Sequence, residues 1–193
     1  MIPILFAYIH LTAPVPTLAS VTITGDDVLV ARTPIYRATV ANDGCLTSLK
    51  GRDLEFFAAG RTIPRGAYLY QEGPLQLPDI TRPRENTILA TGQKGAIEYQ
   101  FRDTTQTWTV TNSTEERLSL VIVLATAVDE VVGGDGVRGK APVTRASRLS
   151  AWVRDGSWLM IEGGTRLWGP WGGGHQVWQL YVPPAPARKG TLT

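Results

Sequence analysis

The chain has 193 residues, 43% of them hydrophobic, enough for one well-buried core and short for two. Lys and Arg number 19 against 17 Asp and Glu, and the net charge of +2 gives no large field to draw nucleic acid or an anionic membrane. A neutral or mildly polar partner fits better, and the single cysteine, Cys45, excludes an internal disulfide framework and a multi-cysteine zinc site.

The N-terminus, MIPILFAYIHLTAPVPTLAS, carries an apolar run from Ile2 to Ile9 and a small-residue sequence, Thr17-Leu18-Ala19. Residues 1–19 are thereby similar to a secretory signal, although the charged n-region is missing and Pro3 interrupts the start. Such a signal makes the chain secreted or periplasmic; without one it is cytoplasmic. No other apolar run reaches transmembrane length.

From Val21 the sequence is that of strands and turns. VTITGDDVLVA predicts a hairpin about Gly25-Asp26-Asp27, and TPIYRATV runs into the strong breaker Asn42-Asp43-Gly44. Cys45, at that turn, reads as a small buried residue at a strand start. LTSLKGRDLEFF reads as two short strands, or as a strand and one helical turn. Between 58 and 86 only AYLYQ predicts a strand, and the remainder predicts loop. AIEYQFR sets Ile97, Tyr99 and Phe101 on one face, and QTWTVT sets Trp108 and Val110 against three threonines. LSLVIVLATAV is apolar on both sides, as expected of a central strand covered on both faces. LSAWV, SWLMIEG and QVWQLYV complete the set, and PPAPARKGTLT (183–193) predicts a Pro-rich tail. With no capped amphipathic helix, the prediction is an all-β antiparallel sandwich over residues 20–182.

The densest constellation is EGGTRLWGPWGGGHQVWQLYV, from Glu162 to Val182. Glycines let the backbone turn where a Cβ would clash, and flat side chains carried on such turns can stand on a rim. Trp168 and Trp171 are the candidate stacking platforms for a ligand, with Arg166, Glu162 and His175 as hydrogen-bonding partners. Trp178, inside the regular strand, is expected in the core. If the glycine loop closes a hairpin, Glu162 and His175 face each other and become candidates for a general acid/base pair.

Other motifs carry less. Gly134-Asp135-Gly136-Val137-Arg138-Gly139 matches a dinucleotide fingerprint in letters, yet Lys140-Ala141-Pro142-Val143 opens no helix behind it, so a turn is expected. Asp129, Glu130 and Asp135 do not have the spacing of a calcium loop. No zinc-hydrolase, nucleophile-elbow or Walker sequence occurs, and neither a metal nor a cofactor is expected. Tyr68 and Tyr70 share a strand face, which offers phenols for lyase chemistry but is more simply a packed surface.

Two segments, TPIYRATVANDGCLTSLKGRDLEFF and GAIEYQFRDTTQTWTVTNSTEERLSLVIVLATAV, resemble the opening and the middle of galactose mutarotase-like β-supersandwich domains. The resemblance runs from about Val28 to Val182. It implies a carbohydrate context, whether as a sugar epimerase, as part of a glycoside hydrolase or polysaccharide lyase, or as a non-catalytic module beside one. The epimerases use a histidine acid and a glutamate base; the surroundings of His175 do not match their histidine motif, so no catalytic residue is carried over. The expected function is a carbohydrate-binding module, with poly- or oligosaccharide as partner and neither nucleic acid nor membrane. The alternatives are a lyase or epimerase of the same fold, and a structural domain that packs on a neighbouring domain or subunit.

Overall fold

A computed structural model describes the backbone of residues 7–10, 21–51, 54–57, 66–124, 130–132, 138–139, 148–153, 157–162, 167–168 and 176–184, and side chains at 21–51, 55–57, 66–123, 177 and 179–184. The described chain is all strand and turn, arranged as two antiparallel sheets around one core.

One sheet, sheet B, begins with the predicted hairpin. β2 (Thr22–Thr24) pairs with β3 (Leu29–Arg32), and Gly25 takes φ 103° in the turn. β4 (Tyr36–Val40) and β5 (Leu46–Gly51) follow across Asn42-Asp43-Gly44, where Asp43 Oδ1 accepts a hydrogen bond from Cys45 N at 2.9 Å. Gly44 sits at φ 79°, and a Cβ there would lie 2.5 Å from Leu77 Cβ and 2.9 Å from Ala90 Cβ. Left-handed strain and overpacking act together, so Gly44→Ala should cost about 2 kcal/mol in a urea melt. An unchanged midpoint would contradict this account of the turn.

β6 (Leu54–Glu55) folds back on β5, giving two short strands. Glu55 Oε1 holds that corner by accepting from Leu49 N and Phe57 N. β7 (Ala67–Tyr70), β12 (Leu118–Leu124), β17 (Leu167–Trp168) and β18 (Gln176–Val182) complete the sheet in the order β17-β18-β12-β7-β5-β4-β3-β2. β12 is central, as predicted. Its Leu118, Leu120 and Ile122 join the core, while Val121 and Val123 bury on the opposite face with Cys45, Tyr68 and Val177. Cys45 is buried at the entry to β5, and burial pushes its thiol pKa well up, which removes it as a nucleophile.

The second sheet, sheet A, contains β1 (Ala7–His10), β8 (Asp79–Arg84), β9 (Thr87–Thr91), β10 (Gly95–Phe101), β11 (Gln106–Asn112), β13 (Glu130–Val132), β14 (Arg138–Gly139), β15 (Arg148–Val153) and β16 (Ser157–Glu162). Its order is β14-β13-β15-β16-β1-β11-β10-β9-β8. Two strands depart from the sequence expectation. β8 falls where loop is predicted: it is an edge strand with mostly exposed positions, so it carries no apolar alternation, and Pro83 is tolerated because an edge has a side that pairs with nothing. β1 comes from the apolar run that is similar to a signal. In this chain those residues bridge the sheet, pairing along all four positions with β16 and, at Tyr8, with Thr107 of β11.

The core lies between the sheets. Ile97, Tyr99, Phe101, Trp108 and Val110 from sheet A meet Leu46, Leu49, Leu69, Leu120 and Leu180 from sheet B. Two phenols tie the layers together. Tyr99 donates from its hydroxyl to Gly44 O at 2.9 Å, and the Tyr36 hydroxyl lies 2.8 Å from both Arg102 O and Thr105 O in the β10–β11 turn.

Burial raises the pKa of Tyr36 and Tyr99 far above the ordinary 10.0, and that of Tyr68 to about 12. A folded-state pKa above the unfolded one means that the stability these phenols contribute is complete below pH 10 and lost as pH rises through the folded values. Unfolding free energy should therefore be flat from pH 8 to about 10 with respect to these groups and fall steeply above it. Tyr68→Phe should remove one phenol's share of the fall between 10 and about 12, where Tyr36 and Tyr99 contribute as well. A fall of the same size in that variant would assign the effect elsewhere.

Candidate functional site

Of the candidate residues, Glu162 and Trp168 lie in described strands; Arg166, Trp171 and His175 lie outside the described residues. Glu162 ends β16, opposite Arg148 of β15, in sheet A. Trp168 ends β17, opposite Gln179 of β18, at the edge of sheet B. β17 and β18 pair as consecutive antiparallel strands of sheet B, whereas Glu162 ends a strand of sheet A, so the pairing that would set Glu162 against His175 has no backbone support. Of the GxGxxG match, Arg138 and Gly139 are strand residues that pair with Val132 and Val131, and residues 134–137 lie outside the described residues. Of the acidic trio, Glu130 opens β13, and Asp129 and Asp135 lie outside the described residues.

Register places Trp168. Residues directly opposite each other in an antiparallel pair share a face, and neighbours along a strand alternate. Leu167 is opposite Leu180, a core residue, so Trp168 and Gln179 share the outer face of sheet B. By the same rule Trp178, opposite core Ile122, is on the inner face where the sequence predicts it.

The outer face around Trp168 is built from two lateral rows. Tyr70, Ser119 and Tyr181 are in register across β7, β12 and β18; Tyr68, Val121, Gln179 and Trp168 form the next row. Tyr70 and Tyr181 are half-buried, separated by two strand spacings, roughly 10 Å. The floor between them is polar, with Gln179 Nε2 donating to Ser119 Oγ at 2.8 Å. Arg117 stacks its guanidinium 5.2 Å from the centre of the Tyr181 ring, which fixes the ring's attitude and brings a cation to the rim. Beyond Tyr70, Gln71 donates to Glu116 and accepts from Lys94. Tyr68 is buried and its phenol hard to ionise, so it is unsuited to act as a phenolate base at neutral pH.

A second concavity, a cleft of about 420 Å³, lies between Leu75–Asp79 and Gly92–Lys94. It has no aromatic wall and no buried charge. Among the described residues no three His, Cys, Asp or Glu stand close enough to hold a metal ion, and no described helix is long and apolar enough to cross a membrane.

Sequence reasoning had Trp168, weighed Tyr70 only as a phenol for lyase chemistry, and passed over Ser119 and Gln179. Each sits in an ordinary alternating strand, and only the pairing of β7, β12 and β18, distant in sequence, assembles them. No family model matches the chain, and a search of curated proteins finds no relative. Among solved structures, the crystal structure of HI1317 is similar, at 11% identity and a TM-score of 0.52 over 91% of this chain and 92% of that one. That likeness concerns the fold, and it agrees with the all-β sandwich.

Proposed function

We propose that the chain is a non-catalytic carbohydrate-binding module of the mutarotase-like supersandwich kind, and that its sugar-binding surface is the outer face of sheet B. The observation that carries this is the Tyr70–Ser119–Tyr181 row, with half-buried rings on either side of a hydrogen-bonded polar floor and Trp168 in the adjoining row. A sugar ring has an apolar C–H face and an equatorial belt of hydroxyls. Aromatic faces take the first, and Ser119, Gln179 and Arg117 offer donors and acceptors to the second. Trp171, Arg166 and His175, carried by the segment before β18, are the proposed additional contacts. Glu162, in the other sheet, is not part of this surface.

Titration with a panel of neutral oligosaccharides, followed by intrinsic fluorescence, tests the proposal. Tyr181→Ala and Trp168→Ala should each weaken binding about tenfold or more, and Tyr181→Ala, at a half-buried position, should change stability by less than about 1 kcal/mol. Trp178→Ala, the internal control, should cost on the order of 3–5 kcal/mol. New reducing ends or an unsaturated, ultraviolet-absorbing product would replace the binding module with an enzyme. A panel without any shift would remove the proposal.

A further inference from the structure

On the outer face of sheet B, away from the aromatic row, three cations stand side by side. Arg32 of β3 is opposite Arg37 of β4, and Arg37 is opposite Lys50 of β5. Their strand neighbours Ala31, Tyr36, Ala38 and Leu49 belong to the core, so the three point outward, and all three are exposed. The β3–β4 turn holds the first pair together: Thr33 N donates to Tyr36 O at 2.9 Å, and Tyr36 N donates to Thr33 Oγ1 at 3.0 Å. Arg32 and Arg37 are thereby the non-hydrogen-bonded pair next to the turn, the kind whose side chains stand closest. Three adjacent strands make the ladder about 10 Å long from the Arg32 to the Lys50 position.

Like charges directly opposite each other on a sheet are destabilising. Among the described residues nothing offsets the repulsion. None of the three cations forms an ion pair there; the pair present, Arg84 with Glu98, belongs to sheet A. Glu55, opposite Lys50, turns its carboxylate to Ser48 Oγ, Leu49 N and Phe57 N. Asp26 and Asp27 are in the turn at the other end of β3, roughly 15 Å from Arg32, beyond the reach of exposed charges in ordinary salt. The net charge of +2 hides this local grouping. Beside it, the adjoining row of the same face runs Thr24, Val30, Thr39, Ser48, which sets hydroxyls along the cations.

We infer that the Arg32–Arg37–Lys50 ladder is an anion-binding site and that its ligand is an acidic polysaccharide, with carboxylate or sulfate groups over the cations and sugar hydroxyls toward the threonine row. The sugar rests on the proposed function; the negative charge rests on the ladder alone. The two surfaces are separate. Leu46 is opposite Ala67, and the ladder and Tyr70 lie in opposite directions from that pair, roughly 20 Å apart along the strands. Nucleic acid fits this ladder less well. A duplex calls for an extended basic field, whereas three cations make a local one, and neither row holds an aromatic ring on which an unpaired base could stack.

The test titrates the full chain with hexameric galacturonate, its methyl ester, a sulfated heparin hexasaccharide and a short DNA duplex, at about 0.01 M and 0.1 M salt. At low salt an acidic hexamer should bind about tenfold or more tighter than the uncharged ester, and the advantage should shrink at higher salt. The tighter of the two acidic hexamers names the anion. Arg37→Gln should reduce the advantage about threefold, and Arg37→Glu, which sets a carboxylate between Arg32 and Lys50, should abolish it. The urea midpoint of Arg37→Glu should hold or rise, because one repulsive row becomes two attractive pairs. A lowered midpoint would give Arg37 a structural partner and overturn the site. So would an advantage that survives Arg37→Glu, or a duplex that binds more tightly than either acidic hexamer. Equal binding of galacturonate and its ester overturns the ladder and leaves the proposed function standing. Should the acidic hexamers bind through the ladder while Tyr181→Ala changes the binding of no sugar, the ladder stands and the aromatic surface falls. Failure of every hexamer to bind overturns both.

Discussion

Trp108→Ala should lose on the order of 3–5 kcal/mol, a large share of what holds a domain of this size together. The indole is fully buried in β11, meets Tyr99 edge-on with ring centres 5.9 Å apart, and packs against Phe57 at 6.4 Å. Truncation forfeits the transfer of the ring from water and leaves a cavity that two sheets, tied by Tyr36 and Tyr99, can collapse into only in part. A polar cost is added. Trp108 Nε1 donates to Gln106 Oε1 at 2.8 Å, and Gln106 Nε2 is already buried without a hydrogen-bond partner. Without the indole, both ends of a buried amide lack partners. Trp108→Phe, which keeps most of the volume, separates the two contributions. A loss below about 1 kcal/mol for the Ala variant would mean that the core does not depend on this contact.

A chain lacking residues 1–19 should lose cooperative unfolding. β1 supplies the pairing between β16 and β11, so its removal divides sheet A into β14-β13-β15-β16 and β11-β10-β9-β8. Each half then has a new open edge, and the backbone groups of β16 and β11 are left without their ladder. The expected result is a broadened urea transition, dye binding to exposed apolar surface, and concentration-dependent association. A truncated chain that melts like the full one would show that the first strand is dispensable, as a removable leader must be.

Most of the fold was legible because local pattern and tertiary burial agree. Ile97, Tyr99 and Phe101 alternate in sequence and are all fully buried, and the apolar run from Leu118 is central and covered on both faces. Where strands escaped notice, the period-two signal was missing for a physical reason. β8 is an exposed edge interrupted by Pro83, and β1 lies inside an apolar run whose composition is also that of an export signal. The sites were harder still. Glycines and tryptophans clustered in sequence pointed to one loop, whereas register, a property of pairs such as Ser119–Tyr181, is what makes a surface.

The position of β1 also sets the order of events during synthesis. Its partners are β11, about a hundred residues downstream, and β16, which ends at residue 162. At ribosomal speeds of about 5–20 residues per second, the segment waits on the order of ten seconds or more before β16 exists to receive it. For that interval Ile2 to Ile9 is unpaired apolar chain, open to any factor that holds such segments, and the sheet cannot close from its N-terminal end. Closure depends instead on a contact of very long sequence separation, the kind that slows folding most. Sheet B, whose hairpins from β2 to β5 join neighbours in sequence, is free to form while sheet A is still waiting for its middle.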